Sequence, residues 1–189
     1  GSGFAMTPRI DAHQHFWQFD PVRDSWITPT MHVLQRDFLP ADALPLLKAE
    51  GIDGVVAVQA SQSETETDFL LSLAAHYEII RGVVGWVDLR AHDLRTRIAR
   101  WSGNPWLKGF RHVAQSEPDD FLTSPDIVAG IAALGDAGFT YDLLIYPRQL
   151  AAAERVVARC PGVDFVLDHC AKPAIASGEV AQWQAGLTA

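Results

Sequence analysis

The stretch GVVAVQASQSETETDFLLSLAAHY, residues 54–77, decides the fold. Its first part, GVVAVQA, is mostly β-branched and small, which is typical of a fully buried strand. Ser63 and Glu66 then form a capping-box pattern, and the apolar residues that follow share one helical stripe. A buried strand that leads into an amphipathic helix predicts a parallel sheet with helices on its outside.

The same alternation extends in both directions from this unit. Five further strands are predicted, at residues 9–13, 79–89, 107–114, 140–146 and 164–169. Four further helices are predicted, at residues 41–50, 91–101, 125–138 and 149–159. The spacing is that of βαβ units, which suits either an open doubly wound sheet or a closed barrel.

The junctions between strands and helices favour the barrel. The long segment after the first strand has none of the glycine-rich phosphate loops of nucleotide-binding sheets. Polar residues follow most strands, and in a parallel barrel all these positions meet at one mouth. We therefore predict a TIM-like (β/α)8 barrel with about six of its eight strands in this chain, forming one domain over residues 7–189. Residues 1–6, GSGFAM, are expected to be a cloning remnant that ends in the start methionine.

Composition limits the classes of partner. The 189 residues are 48% hydrophobic and carry a net charge of −8, without an apolar run long enough to span a membrane. An acidic chain argues against nucleic acid or an anionic membrane as the main partner. With two cysteines and no signal-peptide pattern, a cytoplasmic location is expected.

The segment Asp11-Ala12-His13-Gln14-His15 is the strongest local pattern. Residues two apart in an extended chain face the same side, so His13 and His15 present two imidazoles to one small volume. Such a pair suits joint metal ligation or joint hydrogen bonding to a substrate oxyanion. A pair of surface loop histidines is the structural alternative.

Strand parity selects further candidates at the predicted mouth. Arg111, Tyr146 and His169 come at the ends of the fourth, fifth and sixth strands and are predicted to face inward. His112 and Asp168 alternate with them, so both are interpreted as outward-facing structural residues. In the long aromatic loop, residues 16–38, Trp26 is predicted to lie nearest to a substrate.

The series of motifs resembles a known family. In chain order the motifs are IDAHQHFW (residues 10–17), Trp26-Ile27, VAVQA (56–60), KGFRH (108–112), DLLIYPRQL (142–150) and VLDHCAKP (166–173). They resemble the amidohydrolase superfamily, and more closely its amidohydrolase-related branch of sugar-acid and dicarboxylate lactonases. Examples of that branch are the L-fuconolactone, L-rhamnonolactone and pyrone-dicarboxylate lactonases. The resemblance implies a (β/α)8 barrel whose last two strands, with a general-base aspartate on the eighth, are expected beyond Ala189.

The resemblance implies an enzyme that opens the ring of a small-molecule lactone. His13, His15 and His169 would surround and polarise the carbonyl that water attacks. The planar guanidinium of Arg111 would donate hydrogen bonds to a carboxylate or to hydroxyl groups, and Tyr146 would donate one hydrogen bond.

Metal use is left open by the ligand count. Three histidines could hold one Zn²⁺ with an open position, or could act on the carbonyl without metal. The fifth strand offers no histidine, and Lys108 faces away from the mouth. The lactonases that the chain resembles are commonly metal-independent, so the resemblance implies no cofactor, with a single zinc as the alternative. A zinc-dependent decarboxylase of the same branch and a catalytically incomplete fragment are the other functional hypotheses. Because six strands leave two open edges, a dimer or other homo-oligomer is also expected.

Overall fold

The computed structural model describes residues 7–188. The expected cloning remnant and start methionine, residues 1–6, lie outside the described residues, as does Ala189. Within the described part no helix has the combination of length and apolar character that crossing a bilayer requires.

All six predicted strands are present and form a single sheet. Neighbouring strands are parallel and follow one another in chain order across the sheet. The strands are β1 (Ile10–Gln14), β2 (Gly54–Val58), β3 (Ile80–Gly85), β4 (Leu107–His112), β5 (Thr140–Leu143) and β6 (Phe165–Leu167). This is the arrangement of six consecutive units of a TIM-like barrel, which confirms the predicted fold class.

The helices alternate with the strands as the periodicity predicts. They are α1 (Pro40–Ala49), α2 (Glu64–His76), α3 (Leu94–Ala99), α4 (Pro125–Asp136), α5 (Leu150–Arg159) and α6 (Ala181–Leu187). The last of these was not predicted. The apolar faces of the helices pack with the sheet into one core, whose centre includes the fully buried Leu70, Val83 and Ile131.

The second unit of the sheet shows how the local sequence produces this packing. The Ser63 hydroxyl caps α2 by accepting a hydrogen bond from the Glu66 backbone N–H at 3.1 Å. Thr67 then exchanges two 2.8 Å hydrogen bonds with the backbone of Trp86, which binds α2 to the end of β3. Gly85 permits this approach, because a Cβ there would lie 2.6 Å from the Thr67 side chain.

The capping box itself forms only in part. The carboxylate of Glu66 accepts hydrogen bonds from the backbone N–H of Ala60 at 2.8 Å and from the Ser61 hydroxyl at 3.0 Å. The Glu66 carboxylate therefore stabilises the turn after β2 and does not accept a hydrogen bond from the backbone of the cap residue, Ser63.

Five of the six described strands end earlier than the hydrophobic pattern predicts. The third is shorter by four residues at its carboxyl end, Gly85 against a predicted Leu89. The sixth ends at Leu167 instead of residue 169. Asp168 and His169 therefore lie in the turn that follows β6, whereas His13 and Arg111 lie within β1 and β4.

Candidate active site

The carboxyl ends of β1, β4 and β6 bring a polar cluster together. The rings of His13 and His169 lie 4.5 Å apart between centroids, and those of His13 and His15 lie 4.9 Å apart. Arg111 and Asp168 lie beneath them and form an ion pair at 2.9 Å. Residues from both ends of the described chain thus meet at one end of the sheet.

The two histidines of the first strand have assignable tautomers. His15 Nδ1 lies 2.9 Å from the Val58 carbonyl oxygen, which can only accept, so Nδ1 carries the proton. His13 Nε2 lies 3.2 Å from Arg111 Nη1, which can only donate, so this Nε2 is unprotonated. The proton of a neutral His13 is then on Nδ1, which faces an Asp168 oxygen at 3.6 Å.

His15 is held in its neutral form. Burial lowers the pKa of His15 to about 4, and the nearby Arg111 guanidinium acts in the same direction. Its only proton is therefore on Nδ1 at neutral pH, and its Nε2 is a hydrogen-bond acceptor. That Nε2 lies 3.2 Å from His13 Nε2.

Arg111 is the buried centre of the cluster. Its Nε donates to the Gln59 side-chain oxygen at 2.8 Å, and its Nη2 donates to the Gln59 backbone carbonyl at 2.7 Å. Its Nη1 donates to Asp168 at 2.9 Å and contacts His13. Four of the five N–H groups of a guanidinium are thereby engaged, and the second N–H of Nη2 has no partner among residues 7–188. Gln59 has no exposed surface. It is one of the polar residues that the sequence places at the strand ends of the mouth, but no role in the site was predicted for it.

Asp168 corrects one sequence prediction. Parity predicted an outward-facing structural residue, but the side chain is only 3% exposed and pairs with Arg111 and His13 inside the mouth. Burial by itself raises the pKa of Asp168, yet the hydrogen bonds with His13 and Arg111 hold it below its ordinary value. Asp168 is therefore a carboxylate that balances the charge of Arg111.

The parity argument fails at Asp168 because β6 ends at the preceding residue. The next four residues, His169, Cys170, Ala171 and Lys172, all have positive φ angles, between 50° and 58°. None is glycine, and a left-handed backbone costs such residues roughly 1–2 kcal/mol each. This left-handed turn, residues 169–172, lets the adjacent side chains of Asp168 and His169 both lie beside His13.

His169 lies at the solvent side of the cluster. The residue is exposed, in contrast to Asp168 beside it. Partial burial, assisted by His13, lowers the pKa of His169. A neutral imidazole has one donor and one acceptor nitrogen, so His169 can offer either to a ligand at the mouth.

Asp142 is a buried carboxyl group that sequence reasoning missed. It pairs in register with Arg111 across β4 and β5 and is 5% exposed. Burial, followed by repulsion from Asp168, raises its pKa to about 7. Its Oδ1 has no hydrogen-bond donor among residues 7–188. The alternation that directed Tyr146 inward also applied to Asp142, four residues earlier, and could have identified it.

A cavity of about 450 Å³ opens beside the cluster. His15 and Arg111 are the residues of the cluster that line it, and Trp17 and Trp26 form its aromatic wall. Trp26 is 61% exposed, so most of its ring is free to meet a ligand. The structure thus places Trp26 in the lining of the cavity. The remaining lining residues are Arg23, Asp24, Ile27, Leu34, Ala60, Ser61, Glu66, Val113, Gln115 and Leu144.

Tyr146 and His112 lie outside this cavity lining as the structure describes it. The Tyr146 ring has the cationic groups of Arg148 and Lys172 at 5.8 and 5.6 Å from its centroid. His112 accepts a 3.2 Å hydrogen bond from the Trp86 indole and contacts Glu117 at 2.9 Å, as a structural residue would. The substrate-binding role of Tyr146 therefore stays a prediction.

The cluster has the donor types of a metal site. His13, Asp168 and His169 each offer a ligand atom, and these atoms lie within 4.8 Å of one another. In addition, the facing Nε2 atoms of His13 and His15 are 3.2 Å apart, close to the roughly 3.3 Å that tetrahedral zinc–nitrogen bonds produce. The cluster thus fits a divalent ion, although Arg111 already supplies a positive charge to His13 and Asp168.

Comparison with known proteins relates the chain to lactone hydrolases. The family profile described as Amidohydrolase matches residues 10–189. An L-fucono-1,5-lactonase of Burkholderia multivorans is 42% identical over 186 residues, which cover 95% of this chain and 62% of that protein. An L-fucono-1,5-lactonase of Burkholderia ambifaria is 37% identical over 184 residues, with coverages of 97% and 63%. The chain therefore spans about three fifths of the length of these curated relatives.

A solved structure agrees with this result. An amidohydrolase from Burkholderia multivorans, crystallised with bound zinc, matches with a TM-score of 0.90 and 42% sequence identity. The match covers 96% of this chain and 65% of that one. The six-stranded sheet and its helices are thus similar to an experimentally determined fold over almost their whole extent.

Proposed function

The chain belongs to the amidohydrolase family, as its motifs predicted, and we propose that the protein carrying it hydrolyses the ring ester of a neutral, sugar-derived lactone. The observation that carries the proposal is the cluster of His13, Asp168, His169 and Arg111 beside an aromatic-walled cavity. The similarity to two L-fucono-1,5-lactonases supports the same class of reaction.

The charges of the cavity favour a neutral substrate. Arg23 holds Asp24 through two hydrogen bonds of 2.9 and 2.7 Å, and Arg111 is paired with Asp168. Both cationic side chains that line the cavity in the described structure thus already have a carboxylate partner. A dicarboxylate lactone would need cations of its own, whereas hydroxyl groups and a sugar ring can use Trp26 and neutral hydrogen-bonding groups.

The positions of the protons on the ring nitrogens assign different roles to the three histidines. Polarising a carbonyl requires donors, and His13 and His15 have unprotonated Nε2 atoms. We therefore assign the developing oxyanion to the free N–H of Arg111 and to an N–H of His169. His15 Nε2 accepts a hydrogen bond from the attacking water and orients it.

The reaction needs a base besides His15. With a pKa of about 4, His15 is too weak to hold the proton of the water at neutral pH. The resemblance places that base, an aspartate, on an eighth strand. As the tetrahedral intermediate collapses, the bond between the carbonyl carbon and the ring oxygen breaks. The ring oxygen takes up a proton, and a hydroxy acid is the product.

We propose that this reaction proceeds without metal, because the Arg111 guanidinium occupies the electrostatic position of a cation between His13 and Asp168. Zinc is the alternative that the donor set also fits, and it is supported by the zinc-containing relative. His13, Asp168 and His169 would then hold the ion, which supplies Lewis-acid polarisation of a carbonyl. The same zinc site would serve the second candidate function, a decarboxylase.

The experiment is a pH-stat assay of the complete protein that carries this chain, purified and tested against 1,4- and 1,5-aldonolactones and a pyrone dicarboxylate lactone, with and without a chelator. We expect hydrolysis of the neutral lactones that survives chelation. Preference for the dicarboxylate would contradict the proposed substrate class. Activity that is lost to the chelator and restored by zinc would contradict the metal-free proposal. Zinc-dependent release of CO₂ from aromatic carboxylic acids, without lactone hydrolysis, would support the decarboxylase.

A further inference from the structure

The left-handed turn at residues 169–172 requires something outside itself to hold it. Its internal bond is the Lys172 N–H to the His169 carbonyl at 2.8 Å. Since four consecutive non-glycine residues have positive φ, the turn is not the backbone that these residues would adopt by themselves. Ala171 is completely buried, which anchors the middle of the turn in the core.

Trp183 provides a bond from a different element. Its indole N–H donates to the Cys170 carbonyl at 2.6 Å, so it binds the peptide between Cys170 and Ala171, in the middle of the turn. Trp183 lies on α6, and its ring packs against the hydrophobic core. The helix lies close to α5 at Gly186, where a Cβ would lie 3.0 Å from Leu150. The indole is therefore carried by an element with its own packing.

We propose that Trp183 is a positioning residue: its indole N–H holds the left-handed turn and so keeps Asp168 and His169 both directed at His13. Trp183 itself does not touch the cavity as described. It acts through the turn, because a relaxed right-handed or extended backbone at 169 would move His169 away from its neighbour. This inference rests on the proposed function only where lactone hydrolysis is the measurement.

A second contact supports the same interpretation. The Lys172 ammonium donates to the Gln115 side-chain oxygen at 2.7 Å, and Gln115 lines the cavity. The loop that follows β4 thus holds the end of the turn, and α6 holds its middle. Strained backbone that neighbouring elements maintain is characteristic of functional sites.

The test compares Trp183→Phe with Trp106→Phe in steady-state lactone hydrolysis. Both variants lose one indole N–H, but Trp106 lies just before β4, at the opposite end of the sheet. We expect Trp183→Phe to lower kcat at least ten-fold with KM changed less than two-fold, and Trp106→Phe to change neither. Equal kcat values for the two variants would overturn the proposal.

Rescue by glycine separates positioning from general stability. Glycine adopts positive φ without strain, and Cys170 is exposed, so Cys170→Gly removes the conformational cost at the residue whose carbonyl Trp183 binds and reduces the need for that contact. We expect Cys170→Gly to restore most of the lost kcat in the Trp183→Phe background. A double variant as slow as Trp183→Phe alone would contradict a positioning role.

Urea unfolding gives a readout that needs no activity. Cys170→Gly should have a higher unfolding midpoint than Cys170→Ala, and Trp183→Phe should lower the midpoint less in the Cys170→Gly background than in the wild type. The reverse of either order would refute the strained turn. If the wild type hydrolyses no lactone, the proposed function fails, and these midpoints still decide the inference about Trp183.

Discussion

The Nε2 atoms of His13 and His15 lie 3.2 Å apart, and the hydrogen bonds around them leave both without a proton. Two lone pairs at this distance repel each other, and a positive charge beside them reduces that repulsion. Arg111 supplies it in the structure, at 3.2 Å from His13. The two Nε2 atoms therefore form a hydrogen-bond acceptor site whose chemistry depends on the neighbouring cation. Changing the charged groups around this site should alter both the stability and the activity of the protein.

His15 should make the fold sensitive to acid. Its folded pKa, about 4, lies below the ordinary value of 6.5, so between these values the unfolded chain binds a proton that the folded chain does not. Stability is therefore lost as pH falls from about 6.5 to 4, by about 2–3 kcal/mol. Urea unfolding at pH 7.5 and 4.5 should show a smaller loss for His15→Asn than for the wild type. Equal losses would contradict the neutral His15.

Asp142 should act in the opposite direction. Its folded pKa is raised to about 7, so folding favours the protonated form, and stability falls as pH rises from about 4 to 7. Asp142→Asn is always neutral, and its advantage over the wild type should grow by about 2–3 kcal/mol between pH 5 and pH 8. Asp164→Asn, an exposed position just before β6, is the control. A constant difference across this range would refute a protonated Asp142.

Removing Arg111 should destabilise the protein strongly. Arg111→Met leaves Asp168 buried without its partner, and breaking such a pair costs about 3–5 kcal/mol. Arg90→Met is the matched control, because Arg90 and Asp126 form an exposed pair whose loss costs about 1 kcal/mol or less. Chemical denaturation of both variants provides the measurement. Similar losses would mean that the buried network contributes little.

His169 should matter for turnover and not for folding. Because its side chain is exposed, His169→Ala should leave the unfolding midpoint nearly unchanged. Lactone turnover should fall by about two to three orders of magnitude, the scale for losing one oxyanion donor. His76→Ala, on the exposed side of α2, should change neither quantity. A His169→Ala enzyme with wild-type turnover would remove His169 from the proposed machinery.

The open sheet predicts self-association. Within residues 7–188 the outer edges of β1 and β6 have no partner strand, and Ile10 and Val166 are 43% and 47% exposed. We expect the 189-residue chain to form dimers or larger species in light scattering. Val166→Lys should weaken this association, because a charged side chain on an edge strand opposes pairing. A monodisperse wild-type monomer would contradict the expectation.

Local pattern by itself determined the architecture and part of the site. Six strands and five of the six helices follow from hydrophobic periodicity, since side-chain burial repeats at two residues in strands and near 3.6 in helices. The same rule predicted that His13 and His15 lie on one side, because they are two residues apart in the extended chain at the end of β1. These features depend only on neighbours in sequence.

The roles of Asp168 and Arg111 were decided by tertiary structure. Arg111 is fixed by Gln59 and Asp168, which are 52 and 57 residues away in the chain. Asp168 faces the mouth because the backbone after β6 turns left-handed, a conformation that no residue type in this stretch favours. Such a turn exists only where distant contacts, including the Trp183 indole, outweigh the local preference. Strand parity therefore failed where long-range forces replaced the regular backbone on which it depends.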